Sequence, residues 1–351
     1  MELIRVTNNK NSNVPVPPIK DNNFIIHPGT LQNLEIESSI NQPLKFEQKP
    51  FIEANTQKVL LRELKNDCII PVFSKDNEKT IAHQEFIDIA QDCVSTVFNH
   101  HQIDSPEIRV SHQIKGRIPD AIHKSAKDLL AHERTQYFER MAFVIRIPSI
   151  TEDINGNKLS LIAGGVRAYN HENLYSKKSI EKFKFFIGFQ NMVCCNLCVS
   201  TDGFSAEMRV RNYQELRSKI LELIQGYSAE KHLEQMQQLP NYSLTEQQFA
   251  QLIGKSRLYH YLPKKEKMIL PNFLLNDGQI STIAKDYYLD ESFCRNEQGN
   301  INLWNVYNLF TSANKSSYID TFLDRNSNAF EFTNGLKNAI SGNSNHSWFL
   351  S

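Results

Sequence analysis

Apolar positions near residue 90 recur at the spacing of an α-helix. Phe86, Ile89, Ala90, Cys93 and Val97 fall at positions i, i+3, i+4, i+7 and i+11, so all five share one helix face. The pattern predicts an amphipathic helix that packs on a core.

Two different patterns precede this helix. Residues 68–73 form a short apolar run that ends at the turn residues 74–77, which predicts a strand. Residues 1–50 are rich in Asn, Pro, Gln and Ser and follow neither a period of 2 nor one of 3.6, so we interpret them as a mobile leader.

The middle of the chain has the pattern of β-strands. Residues 141–148 and 158–163 are apolar runs of strand length that flank Asn155-Gly156, a pair that tolerates the positive φ angles of a tight hairpin turn. A β-hairpin is therefore predicted here. Further strands are predicted over residues 183–189, 193–199 and 207–211, whereas residues 120–140 have the composition of a helix.

Helical spacing returns after residue 212. Apolar residues between Leu216 and Ile224 fall at i, i+4, i+7 and i+8, and Ser243-Leu-Thr-Glu246 has the spacing of a capping box. Two more helices are predicted over residues 303–310 and 319–340, the first with Trp304 and Tyr307 in the core.

The order of these elements predicts the fold class. A β-rich centre followed by a helical C-terminal part is typical of an α+β fold with a central, mostly antiparallel sheet. We divide the chain into a leader over residues 1–50, an α+β core over residues 51–212 and a helical part over residues 213–351 that packs on the core.

Composition narrows the function only slightly. The 351 residues include 39 Lys plus Arg and 39 Asp plus Glu, so the formal net charge is zero. This excludes a globally basic nucleic-acid coat protein and an acidic tail protein. No run reaches the roughly 18 apolar residues of a membrane helix, and the N-terminal residues have no apolar export signal. We therefore expect a cytoplasmic protein without a membrane partner.

The six cysteines fit a reducing compartment. Three of them, Cys194, Cys195 and Cys198, crowd into one stretch, which is no disulfide framework. Cys195 and Cys198 form a C-x-x-C pair, but a zinc site needs two more ligands at similar spacing. We interpret all three as buried apolar side chains, with half a zinc site or a redox pair as the alternative.

Motifs that bind cofactors are absent from the sequence. Gly164-Gly165 lies in a predicted strand without any surrounding phosphate-binding motif, so the pair predicts a bulge or a close backbone approach. The adjacent His100 and His101 follow a predicted helix end, where polar residues are ordinary. We predict neither a cofactor nor a metal.

Three segments are locally basic although the chain is neutral. They span residues 115–146, 158–184 and 255–267, and aromatic residues lie among the cations. Lys and Arg bind phosphates and aromatic faces stack unpaired bases, so convergence of the segments would form a nucleic-acid groove. The alternative is a set of separate solvated faces with the aromatics in the core. The predicted nucleic-acid-binding residues are Lys115, Arg117, Lys124, Arg140, Arg167, Tyr169, Tyr175, Lys177, Lys178 and Lys182.

The C-terminal part has the opposite charge bias. Its acidic residues could pair with the basic segments within the chain or between chains, as in an assembly protein or homo-oligomer. As an alternative, Asp286, Asp290 and Asp320 could hold a divalent cation in an enzyme that acts on nucleic acid or nucleotides. Tyr318 and Arg325, seven residues apart on one predicted helix face, are further candidate site residues.

Several sequence blocks resemble an uncharacterised bacterial family, a domain of unknown function from gut-type anaerobes and their mobile elements. The resemblance extends from about residue 50 to the end. The blocks are Ser111-His-Gln-Ile-Lys-Gly-Arg-Ile-Pro119, Glu139-Arg-Met-Ala-Phe143, Gly188-Phe-Gln-Asn-Met-Val-Cys-Cys-Asn-Leu-Cys198, Asn302-Leu-Trp-Asn-Val-Tyr-Asn-Leu-Phe-Thr311 and Lys315-Ser-Ser-Tyr-Ile-Asp320.

A more distant resemblance is to the phage/plasmid-like protein family. It is carried by the Val193-Cys-Cys-Asn-Leu197 block and by the C-terminal Leu303-Trp304, Tyr307-Asn308, Arg325 and Ser347-Trp-Phe349. Neither family supplies catalytic residues. The resemblances imply a setting on the DNA of phages, plasmids or conjugative elements. We therefore expect a non-enzymatic protein that binds nucleic acid, with single-stranded DNA as the leading candidate.

Overall fold

A seven-stranded antiparallel sheet organises the chain in the computed structural model, which describes residues 49–70, 80–169, 180–342 and 344–351. The described strands are β1 Gln57–Val59, β2 Glu107–Val110, β3 Gln113–Arg117, β4 Arg134–Phe138, β5 Arg140–Ile154, β6 Asn157–Ala168, β7 Glu181–Asn191, β8 Leu197–Cys198, β9 Phe204–Val210, β10 Ser243–Leu244 and β11 Ile301–Asn302. The large sheet has the order β1-β2-β5-β6-β7, and the far edge of β7 pairs with both β8 and β9. Two small ribbons, β3–β4 and β10–β11, complete the pairing.

Helices dominate the second half of the chain. The described α-helices are α1 Leu61–Asp67, α2 His83–Val97, α3 Tyr213–Gly226, α4 Ala229–Gln238, α5 Glu246–Tyr259, α6 Lys264–Lys267, α7 Asp277–Leu289, α8 Leu303–Asn314 and α9 Ile319–Ile340. None of these described helices has the length and apolar character needed to cross a membrane. The strands and helices together make the fold α+β, as the order of the patterns predicted, and the described residues form one unit.

The predicted hairpin is the longest pairing in the sheet. β5 and β6 pair from Arg140–Ala168 down to Ile154–Asn157. Asn155 and Gly156 form the turn with φ angles of 53° and 76°, and the Gly156 backbone N–H donates to the Asp153 carboxylate at 2.9 Å. The turn therefore uses the conformational freedom that made Asn-Gly a hairpin signal.

Both faces of the central strands are covered. Met141, Phe143 and Ile145 of β5 pack in the cluster that includes α2, whereas Ala142 and Val144 pack on the opposite side with the start of α9. Burial on both faces explains why β5 is apolar at successive positions rather than at alternate ones.

The two adjacent glycines of β6 permit close packing on both sides. A Cβ at Gly165 would lie 2.5 Å from the ζ carbon of Phe86 in α2, and a Cβ at Gly164 would overlap the carbonyl oxygen of Phe143. The predicted close approach is confirmed. No space remains here for any larger residue.

Helix α8 is buried around almost its whole circumference. Trp304 and Tyr307 are fully buried, which confirms their assignment to the core. Asn308 donates to the Trp304 carbonyl at 2.9 Å and accepts from Asn196 at 3.3 Å. Asn314 donates to the Phe322 carbonyl at 2.9 Å. Because its buried amides have partners, the helix can be surrounded by protein.

Three sequence predictions differ from the structure. Residues 120–140 contain the strand β4 and short 3-10 turns rather than a helix, because pairing with β3 outweighs helical composition. Of residues 193–199, only β8 is a strand; Cys195 has a φ of 58° and belongs to the preceding turn. The capping box of α5 is Thr245 with Gln248, two residues later than predicted.

The predicted strand over residues 68–73 lies partly outside the described residues. Its described part contributes one bridge, between Ile69 and Gln136. Residues 1–48 of the predicted leader also lie outside them.

Substitution of Gly165 tests the packing of α2 on the sheet. We expect Gly165→Ala to lower the free energy of unfolding by about 1–3 kcal/mol, because the added methyl group overpacks a rigid aromatic contact. Denaturant unfolding followed by circular dichroism measures the change.

Gly254 in α5 provides the matched control. A Cβ there meets nothing within 4 Å, so Gly254→Ala should raise stability by up to about 1 kcal/mol through helix propensity. Equal effects of the two substitutions would contradict this account of the sheet.

Candidate nucleic-acid interface

The β3–β4 ribbon separates an apolar face from a basic face. Ile114 pairs in register with Tyr137, and both pack with Tyr169 in a small apolar cluster. Since side chains alternate along a strand, Lys115 and Arg117 point to the opposite face. We call this second face, defined by Lys115, Arg117 and Arg134, the basic ribbon.

The basic ribbon places two arginines directly opposite each other. Arg117 pairs in register with Arg134, and Lys115 pairs with Gln136. Lys115 and Arg134 are exposed and Arg117 is half-exposed. Among the described residues, none of the three forms an ion pair with a carboxylate. Like charges opposite each other destabilise a ribbon, so this arrangement suits an anionic partner.

Backbone carbonyl groups hold the arginine side chains. Arg117 donates from Nη1 to the carbonyl oxygen of Lys124, and Arg134 donates from Nη2 to that of Leu129 at 3.3 Å. Lys124 differs from them because it forms an ion pair with Glu133, and its hydrogen bond lowers the pKa of that carboxyl. Lys124 therefore contributes little free charge to the surface.

A cleft lies where the ribbon joins the large sheet. Its volume is about 360 Å3, and its lining includes Ser111 and His112 before β3, Arg140 after β4 and Tyr318 at the start of α9. The Tyr318 side chain is 63% exposed. Gln113 follows His112 directly, so β3 begins beside the cleft. Its cations therefore lie within about 13 Å of the cleft along the strand. We call this space the root cleft.

A second cleft adjoins the first at Asp320. It measures about 300 Å3, and its apolar lining comes from Val166, Ala168 and Phe183, with Lys182 and Lys184 at its edge. Both volumes fall within the range of ligand pockets.

Carboxylates from the start of α9 neutralise part of the predicted basic surface. Arg140 lies 3.7 Å from Asp320 and 2.8 Å from Glu139, and Lys184 forms an ion pair with Asp324. Thus the acidic C-terminal part does pair with basic residues of the middle within one chain. Acidic residues in the first turn also suit the helix dipole.

Lys182 is paired on the opposite edge of the second cleft. It lies 2.8 Å from Glu207, and together with Arg209 it lowers the pKa of that carboxyl to about 2. Lys182 and Arg140 are therefore near the clefts but already have carboxylate partners.

Two predicted site residues lie in the core and not on the surface. Arg167 is 1% exposed and forms an ion pair with Glu181, and its guanidinium lies over the rings of Phe183 and Tyr169 at 4.3 and 4.7 Å. Tyr169 is 2% exposed and stacks on His83 with a centroid distance of 4.1 Å. In this arrangement neither side chain presents a surface to an external strand, so the structure does not bring them to the surface as phosphate and base contacts.

The remaining predicted residues, Tyr175, Lys177 and Lys178, lie outside the described residues. Arg134 and Lys184 also lie in the basic segments but were not among the predicted residues; the structure places Arg134 in the basic ribbon and Lys184 at the edge of the second cleft. The register of β3 with β4 places Arg134 opposite Arg117, and the position of α9 places Lys184 beside Asp324. Neither position can be read from the sequence. Arg325 is half-buried and donates at 2.7 Å to the hydroxyl of Ser317, the residue before Tyr318.

Three cations of the third basic segment have partners in the C-terminal part of the chain. Arg257 forms an ion pair with Asp277 at 2.6 Å, Lys255 lies over the Trp348 ring at 4.6 Å, and Lys267 lies over the Tyr259 ring at the same distance. This segment belongs to α5 and α6, whereas the ribbon belongs to the N-terminal half of the chain.

The cysteine cluster is a structural feature. Cys195 and Cys198 are buried, Cys194 is half-buried, and all six cysteines are free. Burial raises the pKa of the Cys194 thiol to about 11 and that of Cys198 to about 12, so both remain protonated near neutral pH. The buried Lys315 donates to the Cys194 carbonyl, which fixes this turn against α8.

No three metal-ligating side chains gather anywhere in the described parts of the chain. Asp286 and Asp290 belong to the end of α7, whereas Asp320 lies in the first turn of α9. The cation site proposed from these three carboxylates is therefore not formed.

Substitution of Arg167 tests whether its side chain stabilises the core or lies at the surface. We expect Arg167→Leu to lower the free energy of unfolding by about 3–5 kcal/mol, because it leaves the buried Glu181 without its charged partner. Arg209→Leu is the matched control, since Arg209 is an exposed arginine of the same sheet and its loss should cost about 0–1 kcal/mol. A small effect of Arg167→Leu would contradict the core assignment.

A comparison with protein-family models identifies the family. The family model described as "Domain of unknown function, B. Theta Gene description (DUF3871)" matches residues 34–350. No curated protein and no solved structure matches the chain. Because the family match covers nearly the whole chain, the protein belongs to this family of unknown function.

Proposed function

We propose that the protein binds single-stranded nucleic acid along the basic ribbon and the root cleft. The observation that carries the proposal is the Arg117–Arg134 pair, two arginines held opposite each other in register without a carboxylate ion pair among the described residues. Phosphates would relieve the repulsion between them, and each would gain charge-assisted hydrogen bonds.

The root cleft favours a single strand over a duplex. Tyr318 is 63% exposed and lines this cleft together with Arg140, Ser111 and His112. An exposed aromatic face next to cations is the usual arrangement for stacking an unpaired base. In this proposal Lys115, Arg117 and Arg134 bind the phosphate backbone of the nucleic acid. Tyr318 stacks on a base, in the role that the sequence analysis gave to the buried Tyr169.

The biological setting rests on sequence resemblance. The blocks shared with families of mobile elements support a protein that acts on phage- or plasmid-type DNA during replication, recombination or transfer. In this setting the protein would act in the cytoplasm as a binding protein without a catalytic step.

Charge reversal of the basic ribbon tests whether its cations bind the phosphate backbone of the nucleic acid. We expect the variant K115E/R117E/R134E to bind labelled single-stranded DNA at least tenfold more weakly at low salt. If three phosphate contacts are lost, the slope of log K against log salt should fall in magnitude by about 2, because each contact on a single strand contributes about 0.7. Fluorescence anisotropy across a salt series measures both values.

The control variant is R62E/R211E/K231E. It makes the same change in net charge at three exposed cations without side-chain hydrogen bonds or ion pairs among the described residues. Its binding should stay near that of the natural protein after a modest loss from long-range attraction. Equal losses in the two triple variants would reject the ribbon as the site.

Substitution of Tyr318 tests stacking separately from charge. Tyr318→Ala should weaken single-strand binding by about 1–3 kcal/mol, whereas Tyr318→Phe should retain it because the ring face is kept. Duplex binding should change little in either variant. Loss of affinity in Tyr318→Phe equal to that in Tyr318→Ala would show that the ring face is not the contact.

A further inference from the structure

Helices α5 and α7 form an antiparallel pair with chemically different ends. At one end, Arg257 near the end of α5 binds Asp277 at the start of α7, with distances of 2.6 and 3.0 Å. At the other end, Tyr288 of α7 donates to Glu246 at the start of α5 at 2.8 Å. Since α7 has 13 residues, the two ends are about 20 Å apart.

The end that contains the start of α7 is basic and apolar. Tyr261, Met268 and Ile269 are 83%, 84% and 71% exposed, which is unusual for large apolar side chains. Lys264 and Lys265 are exposed beside them, and neither has an ion-pair partner among the described residues. We call this surface, with Leu258, the basic end.

The opposite end is acidic and apolar. Leu289 is 66% exposed and Tyr288 is 53% exposed, and Asp286, Asp290 and Glu291 surround them without ion-pair partners in the described residues. Partial burial and the charge of Asp290 raise the pKa of Asp286. We call this surface the acidic end.

Two cations moderate the charge of the acidic end. Arg295 pairs with Glu246 at 3.1 Å and lies over the Tyr288 ring at 4.6 Å. Lys285 is exposed one residue before Asp286. The carboxylates of residues 286, 290 and 291 still outnumber the one cation that is not already paired.

We propose that the α5–α7 face is the interface of a two-fold homodimer, in which the basic end of each copy contacts the acidic end of the other. The two ends match in charge, and both carry exposed apolar side chains that such a contact would bury. The two-fold axis of this dimer lies in the interface and is perpendicular to the axes of α5 and α7. A rotation of 180° about it places the basic end of each copy on the acidic end of the other. Such an interface closes on itself and yields a dimer rather than a filament.

A second copy fits this face better than other partners. Nucleic acid would be repelled by the acidic end, and an acidic peptide would cover only the basic end. The second copy alone satisfies both ends with one contact. This inference is independent of the proposed nucleic-acid binding, which uses different residues.

The test uses the full chain and two charge-reversal variants. K264E/K265E makes both ends acidic, and D286K/E291K makes both ends basic. Asp290 is left unchanged because its carboxylate accepts the backbone N–H groups of Ser292 and Phe293 at 2.8 and 2.7 Å. Sedimentation velocity measures the mass at low and high salt, and circular dichroism with thermal unfolding checks that each variant folds.

We expect the natural protein to be a dimer at low salt, with a dimer Kd that rises on the order of tenfold at high salt because the contact charges are screened. Each variant alone should be a monomer at the same protein concentration. An equimolar mixture of the two variants should regain the dimer mass, since an acidic copy then meets a basic copy at both ends. The triple variant K115E/R117E/R134E should dimerise normally.

Several outcomes would overturn the proposal. They are a natural protein that is monomeric at low salt, a variant that dimerises as well as the natural protein, a variant mixture that stays monomeric, and open-ended species larger than a dimer. A monomer whose K264E/K265E variant loses oligonucleotide or acidic-peptide binding would instead assign the basic end to that partner.

Discussion

The central strands β5, β6 and β7 bury side chains on both faces, and the positions of the other elements follow from this constraint. One face requires cover from α2, the other requires cover from α9, and each helix can approach only as closely as the strand surface allows. Gly165 sets that distance for α2, and Gly164 allows the close approach of Phe143 and Phe186 in the neighbouring strands. The start of α9 is consequently held beside the strand ends that carry Arg140 and Lys184.

This placement decides which charges remain available at the surface. The carboxylates at the start of α9 neutralise Arg140 and Lys184, and Glu207 neutralises Lys182. Among the described residues, the β3–β4 ribbon pairs with itself and with Ile69, and its arginines form no ion pair with a carboxylate. A chain with zero net charge can therefore present a basic surface, because its compensating acids are concentrated elsewhere.

Buried polar groups support the same arrangement. Asn196, Asn308 and Asn314 form hydrogen bonds that connect the turn before β8, helix α8 and the start of α9. Trp304 donates from its indole to Asn157 at 3.3 Å, which connects α8 to the start of β6. These contacts fix α8 in the interior. They give the block around Trp304 and Asn308 a structural role.

The sequence by itself determined the elements whose signals are local. The stripe of α2, the Asn-Gly hairpin, the strand β7 and the helices α8 and α9 follow from periodicity and turn chemistry, because neighbouring residues alone set those preferences. The α+β class followed from their order. The helical composition of residues 120–140 was misleading, since it carries no information about the pairing of β4 with β3.

Only the tertiary structure decided the candidate site. Arg167 and Arg134 are both arginines in basic segments, yet one lies in the core and the other faces Arg117 across a ribbon. Sequence gives the residue type and the spacing, whereas strand register and packing set which face is buried. Charge compensation likewise joins residues more than a hundred positions apart, such as Lys184 and Asp324, and such pairs form only when the chain has folded.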